Sequence, residues 1–276
     1  MHFCGVRGST PAPGADYVRY GGHTACLAIA HDDAERPALV LDTGTGVREV
    51  TALLGGAAFD GTILYSHLHW DHFIGLPFFV GANRPDSRAR IGLPKPLEPD
   101  APDAERLLER AMSPPHFPVT PAQLSGSWSF EALPPGSYEF EGFEVLALEI
   151  PHRGGRTYGY RISDGRSVMS YMPDHSPTTL GPGEDGWGAY HPAALELASD
   201  ANLLVHDATL LPEELPALAQ FGHAAADYAI ALGARAGADA TVLFHHSPER
   251  TDDQLDALAQ RYGDAIVAKQ GSVIGL

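Results

Sequence analysis

The chain has 276 residues, 44% of them hydrophobic, and carries 18 Lys plus Arg against 35 Asp plus Glu, a formal charge of −17 with histidine neutral. That is enough apolar material for one large α/β or sandwich domain or two smaller units, and the charge opposes broad attraction to nucleic acid or anionic lipid. The longest uncharged apolar run, residues 73–82, is far short of the roughly 20 needed to cross a bilayer, and no basic segment followed by an apolar one opens the chain, so a cytoplasmic protein without a secretory signal is expected. Two cysteines, Cys4 and Cys26, are too few for a disulfide framework or a Cys-rich zinc site and read as reduced thiols.

In chain order, strands are predicted at 25–31 and 38–42, on either side of a polar turn with Asp32, Asp33 and Glu35. The spacing of Val47, Val50, Leu53 and Leu54 predicts a helix over 45–54. Residues 62–66 read as a buried strand that ends in His67-Leu68-His69-Trp70-Asp71-His72, with a helical segment to follow. The span 84–136 has a different texture: it holds many prolines, including Pro114, Pro115, Pro118 and Pro121, and one predicted helix at 104–112. It reads as an insert lying over the body of the fold and covering the site, in the manner of a lid or binding loop. Strands resume at 143–150, 157–162 and 168–172. A helix at 192–199, a buried strand at 202–206, an Ala-rich helix at 223–236, a strand at 240–245, a helix at 252–262 and a short strand at 265–267 complete the pattern, with no internal repeat.

The H-x-H-x-D-H run carries the chemistry. At a strand end, residues two apart point to the same side, so His67 and His69 aim at one point, and Asp71 and His72, in the turn after, aim at a second. Imidazole and carboxylate suit zinc, iron or manganese, and imidazoles held this close repel when protonated and favour a metal between them. Further ligands are sought just past other strands, at His152, Asp174 and His245. His175 and His246 adjoin two of these but point away at a strand end. His23, His31 and His191 carry no argument.

With these residues in place the chain resembles the metallo-β-lactamase superfamily, in its ribonuclease Z-like and cyclic-phosphodiesterase branch. The resemblance extends to Phe3-Cys4-Gly5-Val6-Arg7-Gly8-Ser9, Arg19-Tyr20-Gly21-Gly22, Leu41-Asp42-Thr43-Gly44-Thr45-Gly46 and Phe244-His245-His246-Ser247-Pro248-Glu249-Arg250. It implies that residues 1–276 form one α/β domain, a four-layer αβ/βα sandwich with metals at one edge of its two sheets. It further implies two divalent metal ions per chain, zinc first and manganese or iron as alternatives. His67, His69 and His152 would hold the first, Asp71, His72 and His245 the second, and Asp174 would bridge both. Asp42 would orient a ligand histidine from outside, or cap the turn at 43–46.

Val205-His206-Asp207-Ala208-Thr209 resembles the H-E-A-T segment of that branch with Asp for Glu, and Gly222-His223-Ala224-Ala225 resembles its G-H-S-T segment with Ala for the hydroxyl residues. The histidine of the second segment contacts the scissile phosphate there. His223 also sits at the predicted helix start, where free N–H groups favour an anion, and Asp207 would hydrogen-bond and orient it. The expectation is a dinuclear metal-dependent hydrolase with Asp71, His223 and Asp207 as catalytic residues. Its main reading is a phosphodiesterase acting on a small cyclic phosphodiester or cyclic nucleotide through a hydroxide shared by the metals. The alternatives are a ribonuclease Z-like RNA-processing endonuclease, another ester or thioester hydrolase on the same fold, and a non-catalytic binding module. The acidic charge and the lack of a Lys/Arg-rich arm favour a small phosphorylated substrate over a long nucleic acid. No membrane partner is expected, and a homodimer is implied by the resemblance. Arg7 would meet a phosphate or carboxylate, or form a structural salt bridge; His116, with Phe117, would line a substrate pocket or pack against the body.

Overall fold

Two sheets form from strands that run in chain order. In the first, β1 (His2–Gly5), β2 (Cys26–Ile29), β3 (Leu39–Leu41), β4 (Asp60–Leu64), β5 (Arg88–Pro94) and β6 (Ser127–Leu133) lie side by side. The first three are antiparallel and β3 to β6 are parallel. The second sheet is β7 (Gly136–Phe140), β8 (Phe143–Ile150), β9 (Thr157–Ser163), β10 (Val168–Met172), β11 (Leu203–Asp207), β12 (Thr241–Phe244) and β13 (Ile266–Val267), antiparallel up to β10 and parallel beyond it. The computed structural model describes residues 1–98 and 100–276.

Strands buried on both faces read as continuous apolar runs, and β3, with Leu39, Val40 and Leu41 all fully buried, is such a strand. One set of alternating side chains meets between the sheets: Phe3, Leu27, Leu41 and Leu64 from the first against Val145, Tyr160, Tyr171, Val205 and Phe244 from the second. On the outer face of the first sheet, Ala28, Val40, Ile63 and Ile91 pack under helices α1 (Val47–Leu53) and α3 (Ala104–Glu109), the short α2 (Trp70–Phe73) lying between them in sequence. On the outer face of the second, Ile150, Met172 and Leu204 pack under α4 (Pro192–Ala198) and, past the short α5 (Leu215–Leu218), α6 (Ala226–Ala236). Helix α7 (Asp252–Arg261) closes the chain's last crossover, its N-terminus capped by Thr251. The result is the four-layer αβ/βα sandwich. Among the described residues no helix is long and apolar enough to cross a membrane.

The span 84–136 is not wholly an insert. Strands β5 and β6 lie within it and complete the first sheet, each residue of β5 from Arg88 to Pro94 pairing in parallel with β6. Only the stretch between those two strands departs from the sandwich, and it carries α3.

Because β3 and β4 are parallel, because β10, β11 and β12 are parallel, and because β8 runs in the same direction as β10 through the intervening antiparallel β9, all six present their C-terminal ends on one edge. Three buried tyrosines tie the sheets together beside that edge. Tyr158 donates to the carbonyl of Leu133 at 2.9 Å, Tyr160 to that of Tyr65 at 2.6 Å, and Tyr171 to Asp42 at 2.8 Å. Burial raises all three phenols, Tyr158 to about 12, so they stay protonated donors at neutral pH. A Tyr160→Phe variant leaves the Tyr65 carbonyl unpaired in the core. It is expected to lose about 1–3 kcal/mol of stability, seen as a lower urea midpoint with an unchanged slope.

Candidate metal centre

Each strand on that edge delivers one element of the site. Asp42 follows β3; His67, His69, Asp71 and His72 follow β4; His152 follows β8; Asp174 follows β10; Asp207 ends β11; and His245 follows β12. Two of these residues have a left-handed backbone, Asp42 with φ 57° and His245 with φ 59°, a conformation that costs a non-glycine residue roughly 1–2 kcal/mol. Asp42 is held there by what it accepts: the Ser66 N–H at 2.8 Å, the Ser66 hydroxyl at 2.9 Å, the Tyr171 hydroxyl at 2.8 Å and the His72 Nδ1–H at 2.8 Å.

Partners of this kind fix which ring nitrogen faces inward. The His72 proton is on Nδ1, toward Asp42, and the His152 proton is on Nδ1, toward the Gly222 carbonyl at 2.7 Å, since neither acceptor can donate. The single hydroxyl protons of Ser66 and Thr209 are directed at the acceptors Asp42 and Asp207. These hydroxyls therefore accept from His67 Nδ1 and His245 Nδ1, each at 3.1 Å. Four Nε2 lone pairs are left pointing at one another and at carboxylates.

The resulting crowding is tight. Asp174 Oδ2 is 3.1 Å from the Nε2 atoms of both His67 and His72 and 3.7 Å from that of His152, and Asp174 Oδ1 is 3.0 Å from His245 Nε2. His72 Nε2 and His245 Nε2 are 3.1 Å apart, and Asp71 Oδ2 is 3.1 Å from the latter. Within this cluster, His67, His69, His152 and Asp174 form one group whose ligand atoms are mutually within 4.8 Å, and Asp71, His72 and His245 form another.

So many acceptors at such distances require positive charge among them. Protons meet the need only in part. Burial alone would lower His245, but the charges of Asp174 and Asp71 raise it to about 10, and His72 is raised in the same way against the same penalty. His67 and His152 instead fall to about 4, burial being the largest cause. His67 Nε2 and Asp174 Oδ1 remain buried without a hydrogen-bond partner. Divalent metal ions fit this donor set, because each takes several such lone pairs at once.

Beside the cluster, His223 Nδ1 lies 3.0 Å from Asp207 Oδ2 and 3.8 Å from Asp174 Oδ1. Asp207 also accepts from the N–H groups of His175, Ala224 and Thr209 and from the Thr209 hydroxyl, all within 3.2 Å. Burial would lower His223, yet the Asp207 charge and hydrogen bond raise it above its ordinary value. The third group of convergent ligand atoms is Asp174, Asp207, His223 and His245.

Some expectations are corrected. His223 is not at a helix start: α6 begins at Ala226, and the Ala224 N–H is directed at Asp207. Arg7 cannot reach a substrate. It is fully buried, donates to the carbonyls of Gly21 at 2.8 Å and Arg250 at 2.6 Å, and lies 3.8 Å from Asp252. His116 is exposed and lines a separate cavity of about 580 Å³ with Trp70, Phe73, Phe78 and Phe117. As expected, His175 and His246 point away from the cluster, toward His206 and the Ala268 carbonyl.

Residues that sequence reasoning missed support the ligands from behind. They include Ser66, Tyr171 and Thr209 above, the Ser9 N–H that donates to Asp71 at 2.6 Å, and two glycines. A Cβ on Gly8 would lie 2.4 Å from the His245 ring, and one on Gly154, where φ is 84°, would lie 2.5 Å from His69 Nε2. Gly8 stands in a motif quoted above, but only the packed ring explains it.

The beta-lactamase superfamily domain model matches residues 39–246. A ribonuclease Z of Halobacterium salinarum is 25% identical over an alignment of 317 positions that covers 98% of this chain and 94% of that protein. Among solved structures, the metallo-beta-lactamase fold protein YhfI from Bacillus subtilis superposes with a TM-score of 0.69 at 18% identity, covering 98% of this chain and 96% of that one. The short form of human tRNase Z gives 0.68 at 19% identity, covering 99% and 98%.

Two outcomes follow from the crowding. Since His245 is held at about 10 in the absence of metal, loading metal at pH 7 displaces protons, and affinity rises as pH rises toward that value. Titration calorimetry in buffers of different ionisation enthalpy should show net proton release. Gly8→Ala pushes the His245 ring off its aim and is expected to weaken metal binding by roughly 10–100-fold, measured by competition with a chelating dye.

Proposed function

Because this chain belongs to the beta-lactamase superfamily and is a metal-dependent hydrolase, we propose that it is a phosphodiesterase acting on a small, compact phosphodiester such as a cyclic one. The observation that carries the reading is the His223–Asp207 pair at 3.0 Å, set against Asp174. Phosphodiester hydrolysis expels an alkoxide, which needs a proton as it leaves, and His223 is an imidazole, outside the ligand groups of His67 and of Asp71, whose pKa the Asp207 carboxylate raises.

In this reading His67, His69 and His152 hold one divalent ion and Asp71, His72 and His245 a second, with Asp174 between them. Zinc is the first candidate, manganese and iron the others. When bound, such ions supply charge neutralisation at the phosphoryl oxygens and an activated water. The chain's own residues do the rest. Asp42 and Thr209 hold the tautomers of His72 and His245, so that Nε2 stays a ligand atom. Asp207 takes the Nδ1–H of His223, which leaves the Nε2–H of that ring as the proton available to the leaving oxygen.

A cavity of about 440 Å³ adjoins His67 and His69, a size that holds one small-molecule ligand. With a formal charge of −17, this favours a small substrate over a long polyanion. The second reading, RNA 3′-processing, is favoured by the ribonuclease Z relative that aligns with 98% of the chain.

The test is a panel on the metal-loaded enzyme: bis(p-nitrophenyl) phosphate, cyclic nucleotides, a tRNA precursor, a thioester and a lactam. Hydrolysis of the small diesters is expected, and activity on only the last two overturns the proposal. Cleavage of the precursor alone selects the second reading. His223→Ala is expected to keep its metal but to slow turnover on the order of 100-fold or more. It should also remove the alkaline limb of the rate profile, because a group with a raised pKa donates its proton below that pKa and loses it above. Undiminished turnover in this variant removes the role given to His223.

A further inference from the structure

The cavity beside His67 and His69 has a composition that says more about its ligand than its size does. Its apolar wall is Leu68, Pro94, Pro96, Leu97 and Leu107. Two of its four charged residues cancel: Arg156 donates to Glu149 at 2.7 Å, is fixed by the Lys95 carbonyl at 2.8 Å and lies over the Tyr158 ring. The other two are Arg110 and Glu98, both exposed.

Arg110 stands at the C-terminal end of α3, and only its backbone N–H is engaged, to Arg106 and Leu108 carbonyls. The other arginine of that helix, Arg106, is turned to Asp103 at 3.9 Å. Among the described residues no carboxylate pairs with the Arg110 guanidinium. The same side chain also lines the neighbouring cavity of Trp70 and Phe117, so it stands where the two hollows meet. Arg110 is not the only arginine without a carboxylate partner, but it is the one that lines the cavity beside His67 and His69, where its guanidinium is a donor fork open to an oxyanion.

We propose that this cavity is the specificity subsite and that Arg110 recognises a second anionic group, a phosphate or a carboxylate, at the far end of one ester arm of the substrate. The proposal rests on the phosphodiesterase reading for what lies at the ligand cluster. The compact body of the arm meets the leucines and prolines, and the distal oxyanion meets the guanidinium. Glu98 disfavours a negative charge placed elsewhere in the cavity.

The test uses metal-loaded enzyme and three p-nitrophenyl diesters whose second arm is ethyl, 2-carboxyethyl or 2-phosphoethyl. Calorimetric binding of the corresponding phosphonates, which are not hydrolysed, is measured in parallel. The wild type is expected to prefer an anionic arm over ethyl by roughly tenfold or more in kcat/KM and in affinity. Arg110→Ala should bring that ratio close to one, mainly through KM, and Arg110→Lys should keep part of it. Whichever anionic arm gives the larger ratio identifies the oxyanion. A wild-type ratio near one, or a ratio that Arg110→Ala leaves unchanged, overturns the subsite. If no diester is cleaved, the phosphodiesterase reading fails, and the phosphonate affinities still decide the role of Arg110.

Discussion

Everything at the sheet edge depends on one electrostatic imbalance: four imidazole rings and two carboxylates converge on a volume in which protons supply only part of the positive charge they need. Left alone such atoms repel, and a flexible chain would turn them toward water. The sandwich prevents this by drawing them from the ends of four strands, β4, β8, β10 and β12, and by fixing the far side of each ring with an acceptor or a hydroxyl. The left-handed backbones of Asp42 and His245 belong to the same scheme. Each is a local cost, tolerated because surrounding hydrogen bonds and packing over-determine it. The tyrosine hydroxyls that cross between the sheets serve the same end, since Tyr171 reaches the very carboxylate that orients His72.

Most of this was legible in the sequence where chemistry and periodicity coincide. H-x-H-x-D-H after an apolar strand, and single His or Asp residues past later strands, led to the side chains that the fold brings together. The misreadings have physical causes. The prolines of 84–136 suggested an excursion and hid β5, whose Arg88 and Arg90 alternate with apolar Ala89 and Ile91 and find carboxylates at Glu141 and Glu131. Ala224 and Ala225 read as the start of a helix by propensity, but Asp207 takes the Ala224 N–H and α6 waits until Ala226. For Arg7 the sequence left a ligand contact and a structural salt bridge open, because its partners Arg250 and Asp252 lie more than 200 positions away. Gly8 and Thr209 stand in quoted motifs, but their supporting role shows only once the His245 ring, past β12, packs against them.

The acidic composition reads differently against the structure. Many arginines are committed to carboxylates or carbonyls at the surface and between loops, so the charge of −17 describes the envelope rather than the site. Locally, the inward face is governed by the positive charge it demands and by one imidazole whose pKa a buried carboxylate raises.

The turn at Gly222 and His223 has a consequence of its own. Its carbonyl fixes the His152 ring at 2.7 Å, while the next side chain leans on Asp207 at 3.0 Å. One peptide unit therefore sets both the aim of the His152 ring and the position of His223. Any displacement of this turn disturbs both contacts together.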